Sequence, residues 1–567
     1  MGRHCAPLVI SKKGGKPMLE LRPWQKEAVS RALAWLVVER SDRHFLINAA
    51  PGAGKTIASC VIAKELIDRN EVDRVIVIAP RREVVRQWAD DFRNITGRHM
   101  MKVTGSDSDV AGELDVCATW AAIESLKDIF QATCHVRRTL VVCDEHHHAA
   151  VKAAWGSSAD SAFKDAAFVL VLTGTPIRSD NEQSVWLAYD DAGHIDHPQA
   201  GTYTLSYGDA VNLGYCRPVT FHRHEGRFTV DLQDGTSVHV SGQGAIDAEQ
   251  LRIPSLKRAL NFYRLACTPQ YEADDRTPKR DGYQATMVEW AAEKLTDLRD
   301  RLPNAGGLVI APSIEIADYF QDLIEMMEGE RPICVHSHTP NVESKIEAFR
   351  NTDKRWLVSV NMISEGVDIK RLRVLVYLPS ALTELAFRQA IGRVVRSAGR
   401  DDDSRAYVVM PSFQVLEEFA RRVEGEMPAW AKRAVDGPKK KRCPACESEC
   451  DLGVTICPAC GHEFPARKPK FKTCHACQAP NPIGASSCQE CGASFTVQFN
   501  LTLDEALRVG VIVRGMDIDE AETQESEAIG PALRERIIRS GDVSLINLIN
   551  SVPIEAMARL KKLVQDE

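Results

Sequence analysis

Short apolar runs alternate with amphipathic stretches over two long blocks of the chain. In the first block the runs at 45–48, 75–79, 140–143 and 168–172 are continuous, the pattern of strands buried on both faces. Between them, at 56–69 and 82–92, apolar positions recur at helical spacing. A second block repeats the pattern, with runs at 307–311, 332–335, 356–360, 373–378 and 406–410. Strands alternating with helices predict a parallel, doubly wound sheet, so two blocks predict two α/β lobes. The stretch between the blocks, 203–283, is less regular, and 219–240 alternates as a β-hairpin does.

After about residue 426 the pattern changes. Gly437-Pro438 and the basic run 439–442 read as a linker, a cysteine-rich unit follows at 443–491, and helical spacing returns at 504–508, 531–539 and 553–564. The expected organisation is a first lobe over 1–205, an insertion or connector over 206–300, and a second lobe over 301–436. A tandem four-cysteine unit over 437–496 and a helical C-terminal region over 497–567 complete it.

Composition adds constraints. A hydrophobic content of 44% with 26% charged residues is that of an ordinary globular chain. No apolar run approaches the roughly 18 residues of a membrane span. Residues 1–16 are polar and basic, without the apolar segment of a secretion signal. The expectation is therefore an intracellular protein with no membrane partner. A net charge of −7 means that any nucleic-acid surface is local.

Candidate chemistry begins at 49–56, Ala-Ala-Pro-Gly-Ala-Gly-Lys-Thr, which follows an apolar strand and opens a helix. In that context Gly52 and Gly54 let backbone N–H groups surround phosphates, Lys55 reaches the β/γ oxygens and Thr56 ligates Mg²⁺. Ala49 stands where the strict pattern has glycine, and a glycine-rich turn with a surface lysine is the bland alternative. The run 140–143 leads directly into Asp144-Glu145-His146-His147-His148. Carboxylates at the carboxyl end of a buried parallel strand lie where open α/β sheets bind ligands. Asp144 is expected to hold Mg²⁺ and Glu145 to activate the attacking water. The three histidines fit hydrogen bonding between motifs better than a metal site. In the second block, Gln389, Gly392, Arg393 and Arg396 stand at i, i+3, i+4 and i+7, on one expected helix face. Two guanidiniums on one face suit the charge that develops in phosphoryl transfer.

Nine of the 17 cysteines fall within 443–491. Cys443, Cys446, Cys457 and Cys460 follow a C-x2-C-x10-C-x2-C spacing, and Cys474, Cys477, Cys488 and Cys491 repeat it. Two such turns complete a tetrahedral Zn²⁺ shell, so two Zn²⁺ ions are expected. Cys450 is the odd residue, either free or part of a Cys443/Cys446/Cys450 set, and disulfides are the alternative chemistry. Lys and Arg at 439–442 and 467–472, interleaved with Phe464 and Phe471, suit phosphate contact with base stacking. A solvated linker or a purely structural spacer is the competing reading.

Together these motifs resemble the superfamily-two helicases over most of 21–418, in the branch named after type III restriction subunits and UvrB. The resemblance implies tandem RecA-like lobes, with ATP-Mg²⁺ held between them. It makes Gln25 of Leu-Arg-Pro-Trp-Gln the adenine contact and places strand contacts at Pro80-Arg81-Arg82 and Thr119. Leu-Thr-Gly-Thr-Pro at 172–176 then couples hydrolysis to movement. Ser-Glu-Gly-Val-Asp at 364–368 resembles motif five, from which Gly366 and Asp368 carry over, and 389–396 resembles motif six, with Arg393 and Arg396 as arginine fingers. Twin lobes followed by tandem four-cysteine ribbons resemble the RadD group of bacterial DNA-repair helicases. That resemblance implies a DNA helicase or translocase on single-stranded or forked DNA, cytoplasmic and nucleoid-associated, with a possible protein partner at the C-terminal helices. An RNA helicase and an ATP-gated recruitment platform are the alternatives.

Overall fold

The computed structural model describes residues 20–80, 82–103, 114–145, 159–174, 187–189, 195–242, 244–245, 256, 260–336, 339–360, 369–397 and 402–432. It also describes most of 440–518 and isolated positions beyond. The chain forms two compact units, with the boundary at Cys216/Arg217; the described positions from Ile518 onward belong with the first unit.

The first unit opens with α1 (Pro23–Leu33), whose Pro23 needs no partner for the N–H it lacks, and one π-helical turn follows at Ala34–Glu39. The chain then alternates β1 (His44–Ala49), α2 (Lys55–Asp68), β2 (Arg74–Ala79), α3 (Arg82–Thr96), β3 (Met101–Val103) and β4 (Val116–Thr119). It continues with α4 (Trp120–Val136), β5 (Thr139–Cys143), β6 (Phe168–Thr173), the short pair β7 (Ala188–Tyr189) and β8 (Ile195–Asp196), β9 (Thr202–Leu205) and α5 (Tyr207–Asn212). Seven strands make one sheet in the order β3-β4-β2-β5-β6-β1-β9, and its pairs are parallel. Every residue of β2, β4 and β5 is buried, as continuous apolar runs require when helices cover both faces. One side of the core packs Trp120, Ile123 and Phe130 of α4 against Val141 and Val169, with Phe130 and Phe163 at 5.6 Å between ring centres.

The second unit begins with β10 (Val219–His224), β11 (Arg227–Asp231), β12 (Ser237–Ser241) and β13 (Gly244–Ala245). It proceeds through α6 (Phe262–Cys267), α7 (Tyr283–Arg299), β14 (Gly306–Ala311), α8 (Ile314–Glu328), β15 (Ile333–Val335), α9 (Val342–Asn351), β16 (Trp356–Val360) and β17 (Leu372–Tyr377). Next come α10 (Glu384–Val394), β18 (Ala406–Pro411), α11 (Gln414–Glu426) and α12 (Ala429–Lys432). Its main sheet, β10-β18-β17-β14-β16-β15, is again parallel. The two parallel-sheet α/β lobes are thus of tandem RecA-like type.

Residues 206–300 do not stand apart as an insertion. β10 is an edge strand of the second sheet because Val219 and Phe221 are buried, with the Phe221 ring 5.7 Å from Phe387 of α10. Helix α7 packs on β17, β18 and β14. The hairpin expected over 219–240 is the narrower pair β11–β12, which is antiparallel.

Beyond α12 lie β19 (Lys440–Arg442), β20 (Glu449–Asp451), β21 (Phe471–Thr473), β22 (Pro480–Pro482), β23 (Gln498–Thr502) and α13 (Leu503–Leu507). The C-terminal region was expected to be helical; it opens instead with a strand. Burial alternates along β23, which pairs in parallel with β11, and Phe499 packs 5.5 Å from Phe228 and 5.4 Å from Tyr283. The cysteine-rich unit is consequently tied to the second unit at its C-terminal end. Of the helix expected at 531–539, residues 533–534 and 536–539 are described and helical; the one expected at 553–564 lies, apart from Met557, outside the described residues. Among the described residues no helix is long and apolar enough to cross a membrane.

Candidate nucleotide site and metal centres

β1 and α2 are joined by the loop 50–54 in the first unit. Gly52 and Gly54 have φ of 80° and 99°, a left-handed region that favours glycine. A Cβ at Gly54 would lie 2.8 Å from Gln25 Nε2, so the loop is closely gripped from α1. Gln25 Nε2 donates to Gly54 O at 3.0 Å, its Oε1 accepts from Arg22 N at 2.9 Å, and Arg22 Nη1 donates to Ala53 O at 2.9 Å. The Gln25 amide therefore spans the start of α1 and the loop, and the residue is 4% exposed. Lys55 Nζ donates to Ala49 O at 3.0 Å, which folds the ammonium back over the loop.

β6 lies between β1 and β5 in the sheet, so the loops after all three strands share one edge. Gly174, after β6, approaches the phosphate loop closely; a Cβ there would meet Lys55 Nζ at 2.8 Å and Pro51 Cγ at 3.4 Å. Asp144 follows β5 and is buried. Trp88 Nε1 of α3 donates to its Oδ2 at 2.8 Å, and Trp120 Nε1 of α4 donates to its backbone O at 3.2 Å. Burial, reinforced by the neighbouring Glu145 charge, pushes the Asp144 carboxyl up to about 6, against the pull of Trp88 and the Lys55 ammonium. Glu145 has φ of 51°, a left-handed backbone that costs a non-glycine residue about 1–3 kcal/mol and concentrates at functional sites. A loop of N–H groups with a lysine, beside a carboxylate pair, can hold a polyphosphate with a divalent cation.

His146–148, Thr175, Pro176 and Arg81 lie outside the described residues, as do Gly366 and Asp368. Thr119 ends β4 and is buried. Sequence reasoning missed Trp88, Trp120, Arg22 and Cys216, whose Sγ donates to Pro51 O at 3.4 Å. An aromatic on a helix and a single cysteine carry no signal of position by themselves.

In the second unit, α10 carries Gln389, Gly392 and Arg393, and Arg393 is 6% exposed. Arg396 was expected on the same helix face, but the helix ends at Val394. The Arg396 guanidinium folds back, its Nε donating to Gly392 O at 3.1 Å and satisfying a carbonyl of the last turn.

Each cysteine-rich ribbon is a small hairpin, β19–β20 or β21–β22, followed by a second Cys-x-x-Cys turn. The sulfurs of Cys443, Cys446, Cys457 and Cys460 gather in one group, and those of Cys474, Cys477, Cys488 and Cys491 in another. Sulfur separations are 3.5 Å for Cys443–Cys460, 3.7 Å for Cys446–Cys457, 3.6 Å for Cys474–Cys491 and 3.5 Å for Cys477–Cys488. A tetrahedron with about 2.3 Å Zn–S bonds has edges of about 3.8 Å, so both donor sets fit zinc. Cys450 stands outside the four. Its Sγ donates to Cys457 Sγ at 3.6 Å, and Asn481 at the corresponding place in the second ribbon donates Nδ2 to Cys488 Sγ at 3.5 Å. The odd cysteine is thus a hydrogen-bond donor to one sulfur of the group.

Residues 18–178 match the family model described as type III restriction enzyme, res subunit, and residues 290–398 match the helicase conserved C-terminal domain. The chain is 33% identical over 434 residues to the Mycobacterium leprae protein described as uncharacterized protein ML1624, a match covering 74% of this chain and 68% of that one. It is 21% identical over 398 residues to DNA 3'-5' translocase XPB2 of Sulfurisphaera tokodaii, covering 68% of this chain and 81% of that one. Among solved structures, the ATP-dependent Type ISP restriction-modification enzyme LlaBIII bound to DNA aligns with a TM-score of 0.45 at 17% identity, over 72% of this chain and 30% of that one.

Proposed function

The chain belongs to the superfamily-two helicases, and we propose that it is an ATP-driven DNA translocase or helicase acting on single-stranded or branched DNA. The observation that carries the reading is the convergence of Lys55, Gly174 and Asp144 at one edge of the first sheet. In this reading Gly52, Gly54 and Lys55 hold the phosphates of ATP, and Gln25 joins adenine recognition to the loop it already grips. Thr56 and Asp144 hold Mg²⁺, and Glu145 activates water. Gln389, Arg393 and Arg396 act on the terminal phosphate, and Gly366 and Asp368 belong to the same nucleotide machinery. The Mg²⁺ ion supplies charge neutralisation of the phosphates; the residues named orient them and move the proton of the attacking water.

Two Zn²⁺ ions, one on each four-cysteine group, are proposed to supply the folding energy of ribbons too small for an apolar core. DNA rather than RNA is favoured by the similarity to a DNA 3'-5' translocase. Twin lobes with tandem ribbons favour a RadD-type role in repair, recombination or replication, in the nucleoid.

ATPase rates across forked, gapped and single-stranded DNA and structured RNA test the reading. Stimulation by single-stranded or branched DNA above that by RNA is expected. Preferential stimulation by RNA would overturn the DNA assignment while keeping the motor.

A further inference from the structure

Two consecutive residues are anchored to opposite halves of the proposed ATPase machinery. In the first unit, Cys216 donates its thiol to Pro51 O of the phosphate loop. The Arg22 guanidinium lies 4.5 Å from the Tyr215 ring centre while its Nη1 donates to Ala53 O, so the segment 215–216 is joined to the loop at two places. Backbone N–H groups of Tyr215 and Cys216 both donate to Ala210 O at the end of α5, which fixes the segment's direction.

In the second unit, Arg217 is buried, at 1% exposed. Its backbone N donates to Val395 O at 2.6 Å, and its Nη1 donates to Val394 O at 2.9 Å. Both carbonyls close the last turn of α10, the helix that carries Arg393, where a buried cation complements the helix dipole. Nη2 donates to Lys370 O at 2.9 Å, and Nε donates to Asp402 Oδ2 at 2.8 Å. A guanidinium bound at this many points is a fixed post rather than a surface side chain.

Only one peptide unit separates these anchors, and consecutive Cα atoms stay about 3.8 Å apart whatever the rest of the chain does. We propose that the Cys216–Arg217 peptide is a mechanical linkage, transmitting displacement of the phosphate loop to the arginine-bearing helix α10 and back. Cys216 and Arg217 are therefore positioning residues for the ATPase cycle. This inference rests on the motor reading, which assigns both anchors to one nucleotide.

The test inserts Gly-Gly between Cys216 and Arg217, adding about 7 Å of slack while leaving each anchor's side chain in place. With a single-stranded DNA oligonucleotide, the ratio of stimulated to basal ATPase is expected to fall at least about tenfold. The same insertion between Asp234 and Gly235, in the β11–β12 turn, is expected to leave that ratio within about twofold of the parent. An unchanged ratio in the 216–217 insertion overturns the linkage. Should that insertion fail to melt as a folded protein, Cys216→Ala decides, with an expected fall in the ratio of about threefold and an unchanged ratio overturning the proposal. A parent protein that DNA does not stimulate overturns the motor reading itself, a result distinct from a stimulated parent matched by a stimulated insertion.

Discussion

Trp88 Nε1 donates to Asp144 Oδ2 at 2.8 Å, so an indole on α3 fixes the buried carboxylate that follows β5. Trp88→Phe keeps the apolar bulk and deletes the donor. Turnover is expected to fall about tenfold, as is usual when the partner orienting a metal-site carboxylate is removed. Stability should fall by about 1–3 kcal/mol, because the carboxylate loses a bond that burial prevents water from replacing. Steady-state ATP hydrolysis with a urea melt measures both. Full activity in a stable Trp88→Phe protein would show that the carboxylate is positioned by something else.

Glu145 and Lys55 are expected to separate hydrolysis from binding. Glu145→Gln should reduce phosphate release by at least about 100-fold while retaining ATP, since the loop proposed to hold the phosphates is untouched. Lys55→Ala should lose both, because its ammonium is the charge over the loop. Fluorescent-nucleotide titration alongside phosphate release distinguishes the two patterns. Equal nucleotide affinity in parent and Lys55→Ala would contradict the placement of the phosphates.

Much of this architecture was legible because buried parallel strands write themselves as unbroken apolar runs. β2, β5, β14, β16 and β17 all coincide with such runs to within a residue or two. β3 has only three residues, and β4 runs directly into α4 without a turn signal, so neither stood out. The pairing of β23 with β11 joins residues remote in sequence, and the packing of Phe499 on Phe228 and Tyr283 accompanies it. Motif chemistry was readable wherever spacing encodes geometry, as in the phosphate loop and the Cys-x-x-Cys pairs. Trp88, Arg22 and Cys216 were not readable, because each acts through a neighbour brought in by the fold. Arg396 was placed on a helix by extrapolating the period past Val394, where the helix has already ended.

The ribbons predict a specific metal inventory. The parent should release about two zinc ions per chain to a thiol-reactive reagent with a zinc indicator, and Cys457→Ser about one. Cys450→Asn installs the amide that Asn481 supplies in the second ribbon, so it should still release about two. Loss of a zinc ion in Cys450→Asn would make Cys450 a ligand.

The second unit should be acid-sensitive. Burial holds the imidazoles of His222 and His224 at about 4 and about 3, with Lys294 further disfavouring charge on His222 and His222 on His224. His222 stacks 4.3 Å from Trp290, and His224 Nε2 pairs with Thr286 Oγ1 at 2.9 Å. Unfolded imidazoles titrate near about 6.5, so below that pH the unfolded chain binds protons that the folded chain refuses. Stability is therefore present above about pH 6.5 and declines as pH falls towards 4, by up to about 1.4 kcal/mol per pH unit for each imidazole. Melting curves should show this slope, and His222→Phe with His224→Gln should flatten it. An identical slope in the double variant would assign the sensitivity to other groups.

ATP hydrolysis at the Lys55 loop is expected to be driven by nucleic acid. Phosphate release by the purified chain, with and without a single-stranded DNA oligonucleotide, tests it most directly. The expected result is stimulation of at least about tenfold, abolished in Glu145→Gln. Hydrolysis that is indifferent to DNA, or that persists undiminished in Glu145→Gln, would rule out a nucleic-acid-driven ATPase at this loop.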